Sequence, residues 1–263
     1  MSRIQHAFDY GKAFIAFLTG GDPTIEKSEE YILKMIDAGA DLIEIGVPFS
    51  DPIAEGEVIQ NANIRALSNG VTTDQLFDMV ARLRTKTEVP MVFLLYANSV
   101  YKYGYERFCA KCRESGLDGL IIPDLPFEEK GELAPIAAAY DIDIISLIAP
   151  TSEDRIKMIA ADAAGFIYVV SSMGVTGVRQ NITTDLDSML RAIREASDKP
   201  AAIGFGISTP EQAKKMAGIA DGAIVGSAIV KIIEKYGENA GTAVYDYVKR
   251  MKAATAEAES SLT

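Results

Sequence analysis

The stretch "DAGADLIEIGVP", residues 37–48, encloses a short apolar run between two turn signals. Three related stretches follow along the chain: "ESGLDGLIIPDLP" (114–126), "ADAAGFIYVVSS" (161–172) and "AGIADGAIVGSA" (217–228). In each, a glycine after a helical pattern can supply the left-handed residue that ends a helix. The run that follows is apolar without alternation, as in a parallel strand buried on both faces. Each stretch therefore predicts a helix followed by a parallel strand.

Eight such apolar runs occur along the chain. We predict strands at Ala13–Leu18, Leu42–Gly46, Pro90–Tyr96, Gly119–Pro123, Asp143–Ile148, Gly165–Val170, Ala201–Gly204 and Gly222–Val225. Strands that alternate with helices, with no linker rich in Pro, Gly or Ser, favour a closed barrel over an open sheet. The predicted fold class is α/β: a single (β/α)8 TIM barrel over residues 1–263. It has an extra N-terminal helix, extended loops after strands 2 and 6, and a small, polar tail that frays from about residue 253.

The chain is acidic, with a formal net charge of −11. Because no run of five or more Lys or Arg occurs either, we expect no surface for nucleic acid or for an anionic membrane. No segment reaches 18 uncharged apolar residues, and the first residues contain no apolar core of a signal peptide. We therefore expect a cytoplasmic protein that acts on a small molecule.

Two cysteines and one histidine are the residues to test for metal or redox chemistry. Cys109 and Cys112 have C-x-x-C spacing, but they fall inside a helical pattern that ends at Gly116, whereas redox pairs lie at helix starts. We expect two reduced helix cysteines. His6 has no second histidine with which to share a metal, so we expect a structural or surface role for it, and no metal site is predicted.

Glu44 interrupts the second apolar run, "LIEIG". Its neighbours Ile43 and Ile45 point one way along a strand, so Glu44 points the other way, into the barrel lumen near its mouth. A carboxylate there costs free energy unless it is paired, hydrogen-bonded or protonated. An ion pair with a neighbouring strand is the structural alternative, but the predicted strands contain few basic residues. Glu44 is thus a catalytic candidate, and weaker ones follow in the next loop: Asp51, Glu55 and Glu57.

Glycine-rich stretches follow the last three predicted strands. "GFGIS" and "GSAIV" place Gly204, Gly206, Gly226 and Ser227 where barrels often bind phosphate through backbone N–H groups and the start of a helix. "SSMGVTGVR" (171–179) contains further glycines in a segment that could fold over the site. Tight turns alone would account for any one stretch, but three in succession favour a phosphate site.

The reaction can be narrowed by elimination. A barrel that breaks a carbon–carbon bond needs an electron sink, commonly a Schiff-base lysine or a metal. The predicted strands show neither. Two carboxylates could instead act on an electron-rich heterocycle: protonating it at carbon creates the sink, and removing a hydroxyl proton then releases the fragment.

The stretches "LIEIGVPFSDPIAEGEVIQNA", "LLYANSVYKYG", "LIIPDLPFEE", "SSMGVTGV", "GFGIS" and "GSAIVKIIE" closely resemble the tryptophan synthase alpha chain family, in register from about Phe8 to Ala253. The resemblance implies a (β/α)8 barrel that cleaves indole-3-glycerol phosphate to indole and glyceraldehyde 3-phosphate by a retro-aldol step. It also implies that Glu44 is the acid/base that protonates indole C3 and handles the hydroxyl proton. Glu55 would take or stabilise the proton of indole N1.

Further roles are implied by the same resemblance. The substrate pocket would be lined by Phe17, Leu95, Tyr168 and Phe205, with Thr176 in a closing loop, and the phosphate contacts would be Gly177, Gly206, Gly226 and Ser227. No cofactor is implied in this chain. The implied partner is a beta chain that carries pyridoxal phosphate in an alpha2beta2 heterotetramer and contacts residues 48–60 and 171–180.

The chain departs from the family pattern at two places. It has Ala54-Glu55-Gly56-Glu57 where the family reads Ala-Asp-Gly-Pro, and Ser172-Met173 where the family often has Arg-Ala. A misplacement of about 1 Å can cost about 100-fold in rate. The longer acid at position 55 motivates a rival hypothesis, a catalytically weak subunit that mainly activates a beta chain. A third, a sugar-phosphate isomerase barrel, rests on the fold alone.

Overall fold

The computed structural model describes residues 2–171, 182–204 and 206–258. Within them, eight parallel strands close into a barrel in which each strand pairs with the next and β8 pairs with β1. The strands are β1 Ala13–Thr19, β2 Leu42–Gly46, β3 Met91–Leu94, β4 Gly119–Ile121, β5 Asp143–Ile148, β6 Ile167–Val170, β7 Ala201–Gly204 and β8 Gly222–Val225. The predicted (β/α)8 barrel is confirmed, and every strand overlaps its predicted range.

Helices separate the strands. They are α1 Arg3–His6, α2 Ile25–Asp37, α3 Glu57–Ser68, α4 Thr73–Arg84, α5 Ala97–Tyr103, α6 Tyr105–Ser115, α7 Ala134–Ala139, α8 Glu153–Ala161, α9 Ile182–Ala196, α10 Pro210–Ile219, α11 Ser227–Tyr236 and α12 Gly241–Ala256, with 3-10 turns at Phe127–Glu132 and Gly237–Asn239. The extra N-terminal helix is α1. The long interval after β2 is a loop, residues 47–56, followed by both α3 and α4.

Alternation along the strands divides the core into two layers. Inward side chains such as Ile15, Leu42 and Val92 form an apolar cluster inside the barrel, and Ile43 and Ile45 belong to a separate cluster under the surrounding helices. The inner cluster includes Ile4 of α1, which lies next to Gly119 and Gly165 at the amino-terminal ends of β4 and β6. Ile4 therefore closes the end of the barrel opposite to the one where catalytic groups of this fold lie.

Two of the four predicted glycine helix ends are found. Gly39 follows α2 with φ +102°, and Gly116 ends α6 with φ +79°. The prediction is wrong for the other two stretches. Gly165 has φ +62° but lies beyond the Asp162 cap of α8, and α10 ends at Ile219 before an extended Ala220.

The carboxyl-terminal helix corrects the expected fraying from about residue 253. Helix α12 continues to Ala256, and Thr255 and Ala258 are buried. The Thr255 hydroxyl donates a 2.9 Å hydrogen bond to the carbonyl of Met251, which satisfies its polar group inside the helix. The chain is thus packed against the barrel as far as Ala258, two residues beyond the end of α12, while residues 259–263 lie outside the described part of the chain.

The cysteine and histidine predictions can be placed as well. Cys109 and Cys112 are buried and unbonded within α6, and burial raises the pKa of the Cys109 thiol to about 11. His6 is exposed, with Nδ1 2.6 Å from the carboxylate of Asp9. The position of the cysteines inside a helix and the surface position of His6 are as predicted. Among the helices described, none has the length and apolar character that crossing a membrane requires.

Candidate active site

A cavity of about 1010 Å³ opens at the carboxyl-terminal ends of the strands. Its walls come from strand ends and from the loops that follow them, which is where active sites of this fold lie. The lining includes Phe17, Glu44, Glu55, Leu94, Tyr168, Gly206, Ser208, Gly226, Ser227 and Lys231.

Glu44 lies at the centre of β2 and is 1% exposed. It lines the cavity, as predicted from strand alternation, and is in register with Phe17 of β1. Among the described residues its Oε2 atom has no hydrogen-bond partner, and the ion pair considered as an alternative is not found there. Burial, and to a lesser extent the charge of Glu55, raise the pKa of Glu44 to about 8. Glu44 therefore carries a proton at neutral pH and can donate it to a ligand.

Glu55 reaches the same cavity from the loop between β2 and α3. Its Oε2 atom accepts a 2.7 Å hydrogen bond from Nδ2 of Asn63, and the Tyr96 hydroxyl also hydrogen-bonds to its side chain. Burial raises the pKa of Glu55, whereas these two hydrogen bonds oppose that rise because they favour the charged form. The Tyr96 hydroxyl in turn accepts a 3.1 Å hydrogen bond from the backbone N–H of Ala54, and its ring stacks on Phe49 at 4.9 Å. Tyr96 thus contacts both the carboxyl group of Glu55 and the loop that carries it.

The other two loop acids lie elsewhere. Asp51 is exposed and accepts a 2.5 Å hydrogen bond from Oγ of Ser50. Glu57 is the first residue of α3, after the N-cap Gly56, and is also exposed. At this position a proline fits the helix geometry, and a carboxylate is favoured by the helix dipole instead. The structure brings only Glu55 of the three into the cavity lining.

The aromatic walls of the cavity depend on glycine. A Cβ at Gly46 would lie 2.8 Å from Cζ of Phe17, and a Cβ at Gly226 would lie 3.0 Å from its Cδ1. On the other side, a Cβ at Gly204 would lie 2.5 Å from Cε1 of Tyr168. Since real carbon atoms do not approach so closely, Gly46 and Gly204 are needed for the two rings to face the cavity. Gly204 therefore serves the Tyr168 ring and is not itself part of the cavity lining.

Leu95 does not reach the cavity. It is fully buried in the outer cluster under the helices, and Leu94 lines the cavity in its place. The reason is register: Glu44 pairs with Val92 of β3, so the inward residues of that strand are Val92 and Leu94. The assignment of Leu95 to the pocket is wrong by one residue.

The predicted phosphate contacts converge at the start of α11. Ser227 is the first residue of this helix and Gly226 is its N-cap, so the first N–H groups of the helix face the cavity without intrahelical partners. Gly206, with φ +77°, lies after β7 and lines the same region with Ser208. Such an arrangement of backbone donors at a helix start suits an anion.

Three predicted site residues cannot be placed. Thr176, Gly177 and Phe205 lie outside the described residues. Within the described part, no cluster of three or more His, Cys, Asp or Glu side chains is arranged to hold a metal ion.

Sequence reasoning missed Asn63 and Tyr96. Both are 2% exposed, and both hold Glu55 from other elements of the chain. A signal for Asn63 exists in the sequence, because a buried asparagine in a helix interior needs a hydrogen-bond partner.

Comparison with known proteins agrees with this geometry. The family model for the tryptophan synthase alpha chain matches residues 5–259. The tryptophan synthase alpha chain of Lactiplantibacillus plantarum is 50% identical over 255 residues, 97% of this chain and 96% of that protein. The crystal structure of the alpha chain from Legionella pneumophila superposes with a TM-score of 0.87 at 32% identity, covering 97% of each chain. A chain of the a2b2 complex of tryptophan synthase from Pyrococcus furiosus superposes at 0.84, with 36% identity over 92% of this chain and 99% of that one. The protein described here belongs to the tryptophan synthase alpha chain family.

Proposed function

We propose that this chain cleaves indole-3-glycerol phosphate to indole and glyceraldehyde 3-phosphate, as the carbon–carbon lyase of tryptophan synthesis. The observation that carries the proposal is Glu44, a buried carboxyl group that lines the cavity and whose pKa is raised by burial to about 8. It shares its cavity with the amino terminus of α11, which suits the phosphate of such a substrate. Membership of the alpha chain family supports the same reaction.

In the proposed mechanism, the Glu44 carboxyl group donates its proton to C3 of the indole ring. The ring then carries positive charge and can accept the electron pair of the bond between C3 and the glycerol carbon. The Glu44 carboxylate removes the proton from the hydroxyl group on that carbon. The carbon–carbon bond breaks, indole and an aldehyde form, and Glu44 carries a proton again.

Glu55 has the supporting role. Its carboxylate, held by Asn63 and Tyr96, accepts a hydrogen bond from indole N1 and stabilises the positive charge that protonation at C3 creates. The indole ring lies between the aromatic walls formed by Phe17 and Tyr168. The phosphate is held by Gly206, Gly226 and Ser227, while Thr176, Gly177 and Phe205 keep the roles that the family resemblance implies.

We also propose that the partner is a beta chain in an alpha2beta2 assembly and that pyridoxal phosphate belongs to that partner. Support comes from the similar Pyrococcus furiosus chain, which belongs to an a2b2 complex. The loop after β2 is a suitable contact surface, because Ile53 is 79% exposed there although it is apolar. The chain itself forms one domain in this proposal, since all eight strands share one barrel.

The test is a turnover assay of the purified protein with indole-3-glycerol phosphate, with and without a beta chain. Release of indole, faster with the partner, is expected. If no indole forms in either case, the lyase proposal fails and the rival, a subunit that only activates a beta chain, takes its place. Membership of the alpha chain family supports the lyase over this rival.

A further inference from the structure

The cavity lining contains three basic side chains, Lys130, Arg155 and Lys231. Two of them already have partners. Lys130 is ion-paired with Asp162, and Arg155 makes two hydrogen bonds, of 2.6 and 3.1 Å, to the carboxylate of Glu128. Among the residues whose side chains the structure describes, 2–171, 186–204 and 206–258, Lys231 has no hydrogen-bond or ion-pair partner. It is the free cation among these three.

The position of Lys231 in α11 directs it toward the phosphate contacts. It follows Ser227, the first residue of the helix, by four positions, and residues so spaced share one helix face. Side chains on a helix lean toward its amino terminus and cover the preceding turn. The ammonium group of Lys231 therefore extends over the turn that begins at Gly226.

Neighbouring charges on α11 leave Lys231 unneutralised. Glu234, one turn further along, accepts a 3.0 Å hydrogen bond from Arg65 of α3. Lys235 lies over the ring of Tyr236 at 5.0 Å and is not part of the cavity lining. Because the protein carries a formal charge of −11, an anionic ligand approaches against a repulsive field. A free cation at the anion site offsets that repulsion locally.

We propose that Lys231 is a binding residue for the phosphate group of the substrate and adds its charge to the backbone donors of Gly206, Gly226 and Ser227. This inference rests on the proposed function, which places a phosphate at the start of α11. The unpartnered Oε2 atom of Glu44 in the same cavity is an independent sign that a ligand binds there. Since the phosphate keeps its charge throughout the reaction, Lys231 acts on KM and leaves kcat nearly unchanged.

The experiment measures the binding of glycerol 3-phosphate by calorimetry to the full chain and three variants. Lys231→Gln is expected to raise Kd about fivefold to tenfold at low salt, because one exposed charge contact is lost. The effect shrinks at high salt, since the lysine is exposed to solvent. Lys231→Arg keeps the charge and should stay within about twofold of the parent. Lys235→Gln, on the same helix but outside the cavity lining, is the matched control and should not change Kd.

The inference is overturned if Lys231→Gln leaves Kd unchanged or if Lys235→Gln weakens binding equally. Equal weakening of indole binding, which involves no phosphate, would reveal a structural role and would overturn it too. A parent protein that binds glycerol 3-phosphate but releases no indole from substrate, alone or with a beta chain, would remove the proposed reaction and leave the lysine contact standing. Failure of the parent to bind glycerol 3-phosphate would remove the contact itself.

Discussion

The carboxyl groups of Glu44 and Glu55 line one cavity, and the charge of Glu55 adds to burial in raising the pKa of Glu44 to about 8. Burial raises the pKa of Glu55 as well, but Asn63 and Tyr96 hydrogen-bond to its carboxyl group and oppose that rise because they favour the charged form. One acid thus keeps a proton that it can donate, and the other presents an acceptor. Separate surroundings of this kind assign different roles to two carboxyl groups of the same type.

Replacing Glu44 should abolish substrate cleavage and leave phosphate-ligand binding nearly unchanged. Glu44→Gln keeps the size of the side chain but cannot carry the proton to and from the substrate, so we expect kcat to fall by about 100- to 10,000-fold. The Kd for glycerol 3-phosphate should stay nearly unchanged. Glu57→Gln, an exposed acid at the start of α3, is the control. Equal loss of turnover and binding in Glu44→Gln would show that Glu44 is structural.

The same residue should make stability depend on pH. Folded Glu44 has a pKa of about 8, above its ordinary 4.5, so between these values the folded state holds a proton that the unfolded state releases. Stability from this group therefore falls as pH rises through that window. Relative to the parent, Glu44→Gln should gain stability toward pH 8.5, by a few kcal/mol at most on the order-of-magnitude scale of such shifts. Urea unfolding at both ends of the window measures this, and an equal difference at both ends would refute it.

Glu55 should control the upper pH limit of activity. Glu55→Gln removes the neighbouring charge that raises the pKa of Glu44, so the alkaline limb of the kcat/KM profile should move to lower pH. The limb should remain well above pH 4.5, because burial is the larger cause of the raised pKa. Glu55→Asp keeps the charge, so this variant should retain activity, and its alkaline limb should stay close to the pH at which it lies in the parent. An unchanged limb in Glu55→Gln would mean that the two carboxyl groups do not interact.

Asn63 should act through Glu55 as a positioning residue. Asn63→Ala removes the 2.7 Å hydrogen bond to Oε2, and kcat should drop about tenfold or more, as for other hydrogen bonds to a charged group. The Kd for glycerol 3-phosphate should not change, since the proposed phosphate contacts lie on α11 and in the loop after β7. Asn61→Ala on the same helix is the control. If Asn63→Ala loses stability but its kcat/KM profile against pH is unchanged, Asn63 serves packing alone.

Gly204 should tolerate no side chain. A methyl group there overlaps the ring of Tyr168, so Gly204→Ala should cost about 1–3 kcal/mol of stability and raise KM. Gly218→Ala is the matched control, because a Cβ at this position in the last turn of α10 meets nothing within 4 Å. Replacing that helical glycine should be neutral or stabilise by about 0.5–1 kcal/mol. Thermal unfolding of both variants measures the change in stability relative to the parent. An equal change in the two variants would contradict the role given to Gly204.

Strand positions could be predicted because a parallel strand inside a barrel is buried on both faces and reads as one apolar run. The side-chain direction of Glu44 followed from alternation within its own short strand. Leu95 was implied by the family resemblance, and the range predicted for β3, Pro90–Tyr96, is too long to show which of its residues point inward. The register between β3 and β2 decides which residues of β3 point inward, and this register depends on residues far apart in the sequence.

The support of Glu55 was beyond sequence reasoning for a similar cause. Asn63 comes from α3 and Tyr96 from the residue before α5, and only the closed barrel brings them to one carboxyl group. Sequence gives the identity of a buried polar residue but not its partner. Likewise, the sequence shows a lysine at position 231 but does not show that Lys231 lacks a partner among the described residues.

Ile4 closes the amino-terminal end of the barrel with a fully buried side chain. In the part of the chain that the structure describes, the cavity therefore opens at the rim where the loops after the strands meet. In the proposed reaction, the substrate and both products pass this rim. Anything that covers the rim, a loop or a second protein, thereby sets the order in which these molecules pass.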